Sequence, residues 1–458
     1  MNTKLWGDIL NFKFDIEMDE YTFSTKLAFE NYWTKNFTSK VILEYKKFMY
    51  IAATSDFMVV PSPIIDVVWH QHILNSKLYK EFGDILQKEV QHVPSTGNKM
   101  DLSKLNQAKI KTREAYISLF GEIEVDVWNY EDMLGSMHLN KSKFKIRSFI
   151  NFGIILFLLS IFPAFYFLKD IYVHIENPYF LYLYIGLFSL SIACLECWNY
   201  YFLKRKLTAI PSYSFVKNLD PLELVYIKHD DITDYIHPLV NKLVIDKYIN
   251  IDKFSHKLFK INQDNFNTNE ENVILNAIEE NGILYLKLIQ QLEKKRVFNT
   301  IENTFNAFIK YFHKSEAFGN LFYFNFFILS SLLLLGGCRI LTGLYTGHRI
   351  SFILILFLFT FFVTIWHLNR TTLLFTKVVI PKYYLNNFST IKEKSNIDWR
   401  YFLLGSSIFV SSFRLIFLYF KDQIGVPKSR SFGGNGGSGC GSSCGGGCGG
   451  CGGCGGGD

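Results

Sequence analysis

The stretch FINFGIILFLLSIFPAFYFL, residues 149–168, carries no charged side chain and decides the class of the chain. A hydrocarbon core about 30 Å thick takes roughly 20 helical residues, and inside it every backbone polar group must be paired within the segment. The run therefore predicts a membrane span. After mixed residues 169–178 the chain is uncharged again over 179–195 and, past Glu196, stays apolar to Leu203. A second pair repeats the plan, with 317–338 and 350–369 uncharged and a short turn region between them. The expected spans are 148–168, 179–203, 317–341 and 350–369, arranged as two hairpins.

Basic residues flank these runs. Lys141, Lys143, Lys145 and Arg147 precede the first, Lys204, Arg205 and Lys206 follow the second, and Arg370 and Lys377 follow the fourth. By the positive-inside rule the N-terminal region, the insert 204–316 and the linker 370–400 are expected on the cytosolic side of a bacterial inner membrane, although Arg339 and Arg349 reduce the contrast at the second hairpin. The 458 residues are 49% hydrophobic and 19% charged, with a net charge of +7. Orientation charge beside an anionic leaflet explains much of that excess, so no nucleic acid is needed. Lys4, Asp8, Lys13 and Asp15 interrupt the apolar residues of the first fifteen positions, which is not the pattern of a secretory signal, so residue 1 is expected to be the mature N-terminus.

A fifth apolar stretch, 401–421, contains Arg414. On one helix, Arg400, Ser407, Ser411, Arg414 and Lys421 form a polar stripe opposite Phe402, Phe409, Phe413, Ile416 and Phe420. It is expected as an amphipathic helix in the interface or against the other spans, or as a fifth span.

Residues 1–140 read as a soluble, mainly helical domain. Phe23, Leu27, Phe29, Trp33, Val41, Tyr45, Phe48 and Ile51 recur at helical spacing, with a break expected at 35–39. Ser62 and Pro63 form an N-cap and first turn, predicting a third helix from Pro63 to about Leu78. It carries Asp66, Trp69, His70 and His72, and His92 follows in the run Gln91-His92-Val93-Pro94. Asp66 and His70, four apart, share a face and could jointly hold zinc or another soft transition metal. His72 lies about 200° round the helix from His70, so one ion reaches both only where the helix ends or distorts. The alternatives are a structural role, in which Asp66 fixes the tautomer of His70 and the aromatic rings pack the helix, and acid–base catalysis.

At these residues a resemblance becomes specific. The runs FSTKLAFEN (23–31), EYKKF (44–48), PSPIIDVVWHQH (61–72) and HVPSTG (92–97) resemble the N-terminal domain of a bacterial family of glycine-rich-domain membrane proteins. Plant glycine-rich-domain proteins carry a similar domain. The similarity covers roughly the first 130 residues, and the spans, insert and glycine/cysteine tail follow in the same order. The family pattern has paired histidines before the proline, where this chain has Gln91-His92, so a metal site needing both loses one ligand. No activity is established for the family, so the resemblance implies a class and no mechanism.

Between the hairpins, Asp220-Pro221 is expected to cap a helix through about Ile227, followed by a helix over 232–249, a β-ribbon over 249–262, and helices over 272–295 and 297–313. Helices followed by a ribbon suggest a winged-helix-like shape. The second helix, with Asp234, His237, Lys242, Asp246 and Lys247, is close to neutral, which favours protein contact or packing over nucleic acid. Glu196, near the inner edge of the second span, can snorkel or pair with a neighbouring cation. The Cys194-x-x-Cys197 spacing has no turn and no second cysteine pair beside it, and reads as incidental.

The tail, 426–458, holds 16 of the 31 glycines and Cys440, Cys444, Cys448, Cys451 and Cys454. With almost nothing apolar to bury, it is expected to stay unfolded. Its thiols could bind Zn²⁺ or Cu⁺, cross-link, or be lipidated or otherwise modified. The expected class is thus mainly α: a multi-pass membrane protein with a helical cytosolic N-terminal domain, a helix-rich cytosolic insert and a disordered glycine/cysteine-rich tail. The preferred function is a scaffold or adaptor for a protein partner at the lipid bilayer. The rival is a metal-dependent enzyme or metal handler built on Asp66, His70, His72 and His92, with or without the tail thiols. A transporter is disfavoured, because four spans with one edge-lying acid offer little polar lining.

Overall fold

The computed structural model describes residues 1–15, 21–88, 90–92, 99–252, 254–261, 268–387 and 396–424. The tail cysteines lie outside these residues. Most helices of the N-terminal unit begin with a polar side chain that accepts a hydrogen bond from the first turn, satisfying an otherwise unpaired N–H. Asn2 starts α1 (Thr3–Asn11), Thr22 starts α2 (Phe23–Asn31), Thr34 starts α3 (Lys35–Thr54) and Ser62 starts α4 (Pro63–Leu74). The break after α2 falls at residues 32–34, earlier than the spacing predicts, because Tyr32 is left-handed at φ 58° and Thr34 caps the next helix. α4 stops at Leu74 and not near Leu78. Asn75 closes it through its backbone N–H and opens α5 (Ser76–Leu86) by accepting from the N–H of Leu78. The unit finishes with α6 (Lys99–Phe120) and α7 (Val125–Trp128).

The first hairpin is α8 (Ile146–Val173) and α9 (Asn177–Ala209). The insert then opens on α10 (Pro221–His229), where the Asp220 and Glu223 side chains form a reciprocal capping box, and continues through α11 (Ile232–Ile245). The ribbon forms as β1 (Ile249–Asp252) and β2 (Lys257–Lys260), antiparallel, with Ile249 opposite Lys260. The helix expected over 272–295 is instead two, α12 (Asn269–Asn276) and α13 (Tyr285–Leu292), separated by β3 (Ile283–Leu284), which completes a sheet of order β1-β2-β3. Gly282, at φ +75°, makes the turn, and a Cβ there would sit 2.6 Å from the Phe259 ring. Helix α14 (Arg296–His313) closes the insert.

The second hairpin is α15 (Glu316–Tyr345) and α16 (Ser351–Leu374). The latter passes through a π-helical turn, Phe375–Val379, into α17 (Ile380–Asn387). Among the described residues, four single helices are therefore long and apolar enough to cross a membrane, as the uncharged runs predict. α15 is the most buried of the four and α8 the least. Small residues permit close approach: a Cβ on Gly153 of α8 would meet the Phe326 ring of α15 at 2.6 Å, and one on Gly336 would meet the Tyr184 hydroxyl at 2.7 Å. At the far end Arg339 donates to the carbonyls of Tyr172 and Ile175, closing the C-terminus of α8 with a cation.

The N-terminal unit and the insert share one continuous apolar core. Across it, Thr304 Oγ1 donates to the Trp33 carbonyl (3.2 Å), Asn269 Nδ2 to Thr25 Oγ1 (2.8 Å), and Lys35 pairs with Glu270 (2.9 Å). The Lys35 N–H donates to Glu223 Oε1 at 3.2 Å. Burial, reinforced by the Asp220 carboxylate, pushes Glu223 up to about 8. The 401–421 stretch is a bent pair, Ile397–Ile408 and Ser411–Ile424, with 67° between them, which counts as a fifth candidate span if the pair is taken as one. Its apolar stripe is buried as the spacing predicts. The surface that covers it is the insert: Phe417 and Phe420 lie 4.9 and 5.4 Å from the His237 ring, and the Val410 N–H donates to Asn241 Oδ1.

Candidate functional site

Helix α4 separates its histidines by geometry alone. His70 and Asp66 lie one turn apart on the outer face, with His70 Nδ1 3.5 Å from Asp66 Oδ2. His92 reaches in from the segment after α5 and brings its Nε2 to 3.0 Å from Asp66 Oδ1. One donor atom from each of Asp66, His70 and His92 lies within 4.8 Å of the others. The Trp69 ring meets His92 edge-on at 4.7 Å, and the Trp69 indole N–H donates to the Tyr79 hydroxyl. Tyr79 in turn donates to the Val90 carbonyl, which holds the chain leading to His92 against α4 and α5.

His72 turns the other way. Fully buried, it pairs its Nδ1 with the Tyr45 hydroxyl at 2.8 Å, and its ring is surrounded by Phe14, Phe23, Tyr79 and Phe82. Burial holds its pKa down to about 4, so it stays neutral near pH 7. Of the four proposed metal ligands, three therefore gather and His72 does not. The angle of about 200° along the helix contains the reason.

The donor set of one carboxylate and two imidazoles suits zinc with an open coordination position, or a non-haem iron-type facial triad. With metal–ligand distances near 2.1 Å, tetrahedral ligands stand about 3.4 Å apart. The two histidines face different oxygens of Asp66, His92 at 3.0 Å from Oδ1 and His70 at 3.5 Å from Oδ2, so an ion here would draw the three donor atoms together around itself. The three side chains range from exposed to half-buried, so an ion here would face solvent.

Other motif residues serve the core. The Glu44 carboxylate, buried, accepts from Tyr116 and from the Trp128 indole N–H (2.8 Å) and pairs with Lys47 (2.7 Å). Lys46 donates to the Leu10 and Phe12 carbonyls. The EYKKF run thus ties α3 to α1, α4, α6 and α7.

A second polar cluster lies between the membrane helices, towards the end that joins the N-terminal unit and the insert. Asn199 and Asn325 exchange side-chain hydrogen bonds of 2.9 and 2.7 Å, and His367 Nε2 donates to Asn325 Oδ1 at 3.0 Å. Glu196 pairs with Arg370 and sits 3.4 Å from His367 Nδ1, the second of the two arrangements open to it, snorkelling or cation pairing. Sequence reading singled out only Glu196. Asn199, Asn325 and His367 are single polar residues in apolar runs, and only the packing brings them together. Cys194 and Cys197 are free and exposed. The tail cysteines fall outside the described residues. Comparison with protein-family models, curated proteins and solved structures finds no match to this chain.

Proposed function

We propose that the chain is a membrane-anchored scaffold whose soluble body presents the glycine- and cysteine-rich segment 426–458 to a protein partner. One observation carries this reading: residues from Ile9 to Phe420, from both sides of both hairpins, contribute to a single apolar core. That shared core supports a common membrane face for the N-terminal unit and the insert. The flanking Lys141, Lys143, Lys145, Lys204 and Lys206 support the cytosolic face of a bacterial inner membrane. The likeness of the 23–97 motifs to glycine-rich-domain membrane proteins supports the same reading, since Glu44, Tyr45, Trp69 and His72 hold a fold together. A photoreactive residue placed within 426–458 should give a discrete protein adduct in membranes, competed away by free tail peptide. The same residue placed at Lys4 should not. Indifference to position would overturn the scaffold reading.

A second reading rests on Asp66, His70 and His92, whose donor atoms converge. In it these three hold a divalent ion such as zinc, which would supply an open coordination position for water or a partner's side chain. Elemental analysis of the purified full chain should then find about one zinc per chain, lost on His70→Ala. A folded, metal-free protein would remove this reading.

A further inference from the structure

The membrane helices enclose a groove of about 1200 Å³, walled by α8 and α16 and floored by α15. It exceeds the roughly 300–1,000 Å³ of ordinary small-molecule pockets. Its deep part is apolar, lined by Ile154, Phe157 and Leu158 from one wall, Phe326 and Leu333 from the floor and Phe361 from the other wall. At the end nearest the soluble body stand Lys141, Lys145, Lys310 and Lys314. All four are exposed, and none forms an ion pair with an acidic group among the described residues. His313 Nε2 donates to the Thr372 carbonyl at 2.9 Å and joins the α14 rim to the α16 wall.

The dimensions match one leaflet. From Lys145 to Leu158 the α8 wall rises about 20 Å, at roughly 1.5 Å per residue. Half of a hydrocarbon core is about 15 Å, and a headgroup region extends beyond it. Four ammonium groups at one end and a single leaflet's depth of apolar wall below them are complementary to a lipid with a negative head. Glu316, whose N–H donates to the Asn140 carbonyl, is the one acid beside this rim among the described residues against four lysines, so the balance disfavours a choline or ethanolamine cation.

We propose that this groove binds one anionic phospholipid, its phosphate among Lys141, Lys145, Lys310 and Lys314 and its acyl chains along the α15 floor. The site differs from diffuse attraction to an anionic surface, because Lys204, Arg205 and Lys206 offer comparable exposed charge without lining the groove.

The test uses the full chain, delipidated in neutral detergent, with phosphatidylglycerol or phosphatidylcholine of identical acyl chains. Native mass spectrometry should retain one phosphatidylglycerol per chain, and thermal unfolding should shift upward with that lipid selectively. The K141A/K145A/K310A/K314A variant should lose at least about ten-fold in retention, whereas K204A/R205A/K206A should keep it. Leu333→Trp, which fills the slot and leaves the lysines in place, should also weaken retention. Equal binding of both lipids, equal loss in the two charge variants, or a matching shift with inorganic phosphate alone would each overturn the proposal.

Discussion

Tyr45 and His72 meet inside the N-terminal unit, and Asn325 and His367 meet between the membrane helices, yet the two pairs sit in opposite surroundings. The first lies among aromatic rings, one isolated pair where α3 crosses α4. His237 and Tyr285 repeat that arrangement at 2.6 Å where α11 faces α13. The second belongs to a group of five polar residues from three helices at one depth. In water, expulsion of apolar surface drives packing, and an occasional satisfied pair fixes how elements meet. Lipid tails are as apolar as leucine, so close contacts at Gly153 and Gly336 and interhelical hydrogen bonds hold the bundle instead.

The contrast predicts unequal costs. His72→Ala should destabilise the chain most, by about 3–5 kcal/mol in denaturant titration of the detergent-solubilised protein, because it opens a cavity and strands the Tyr45 hydroxyl. A cost under about 1 kcal/mol would mean that the pair is no part of a packed core.

Acid should act on the N-terminal unit and the insert next. Burial holds both His72 and His237 down at about 4, below the 6.5 of an ordinary histidine. The folded state therefore binds fewer protons, and stability present above 6.5 is lost as pH falls towards 4, by about 3 kcal/mol for each group. Glu223, raised from 4.5 to about 8, acts oppositely: the folded state holds its proton longer, and stability declines as pH rises through that window. Unfolding midpoints measured from pH 4 to 9 should pass through a maximum between these limits. A flat profile would show that the three groups are solvated.

In the bundle, Asn325→Leu should cost only about 1 kcal/mol in micelles, typical of interhelical hydrogen bonds in lipid-like surroundings. A loss equal to that of His72→Ala would erase the distinction between the regions. The smallest effect belongs to His70→Ala, within about 0.5 kcal/mol, since its side chain is exposed. His70 and His72, two residues apart, thus mark the two ends of the scale.

Much of this was legible in the chain because it depends on local period. Uncharged runs announce four spans, and helical spacing separates His70 from His72 and sorts Phe413 from Arg414. Juxtaposition across long separations was not legible. Nothing near Thr25 points to Asn269, and nothing near Asn199 points to Asn325. The missed break in 272–295 is partly local and partly distant: Gly282, at φ +75°, interrupts the helix, and pairing with β2 then draws Ile283 and Leu284 into a strand. Of the candidate metal ligands, Asp66 and His70 could be paired from their spacing, whereas the approach of His92 depends on how α5 folds back.

The docking of Ser411–Ile424 on the insert bears on the order of synthesis. Phe413, Phe417 and Phe420 cover Tyr285 and His237, residues made more than a hundred positions earlier and separated from them by the entire second hairpin. A nascent chain that has released the insert but not yet reached residue 420 leaves those rings facing water. Completion of the insert therefore waits for the second hairpin to be made, so Ser411–Ile424, the last helix among the described residues, reports that both hairpins have been translated.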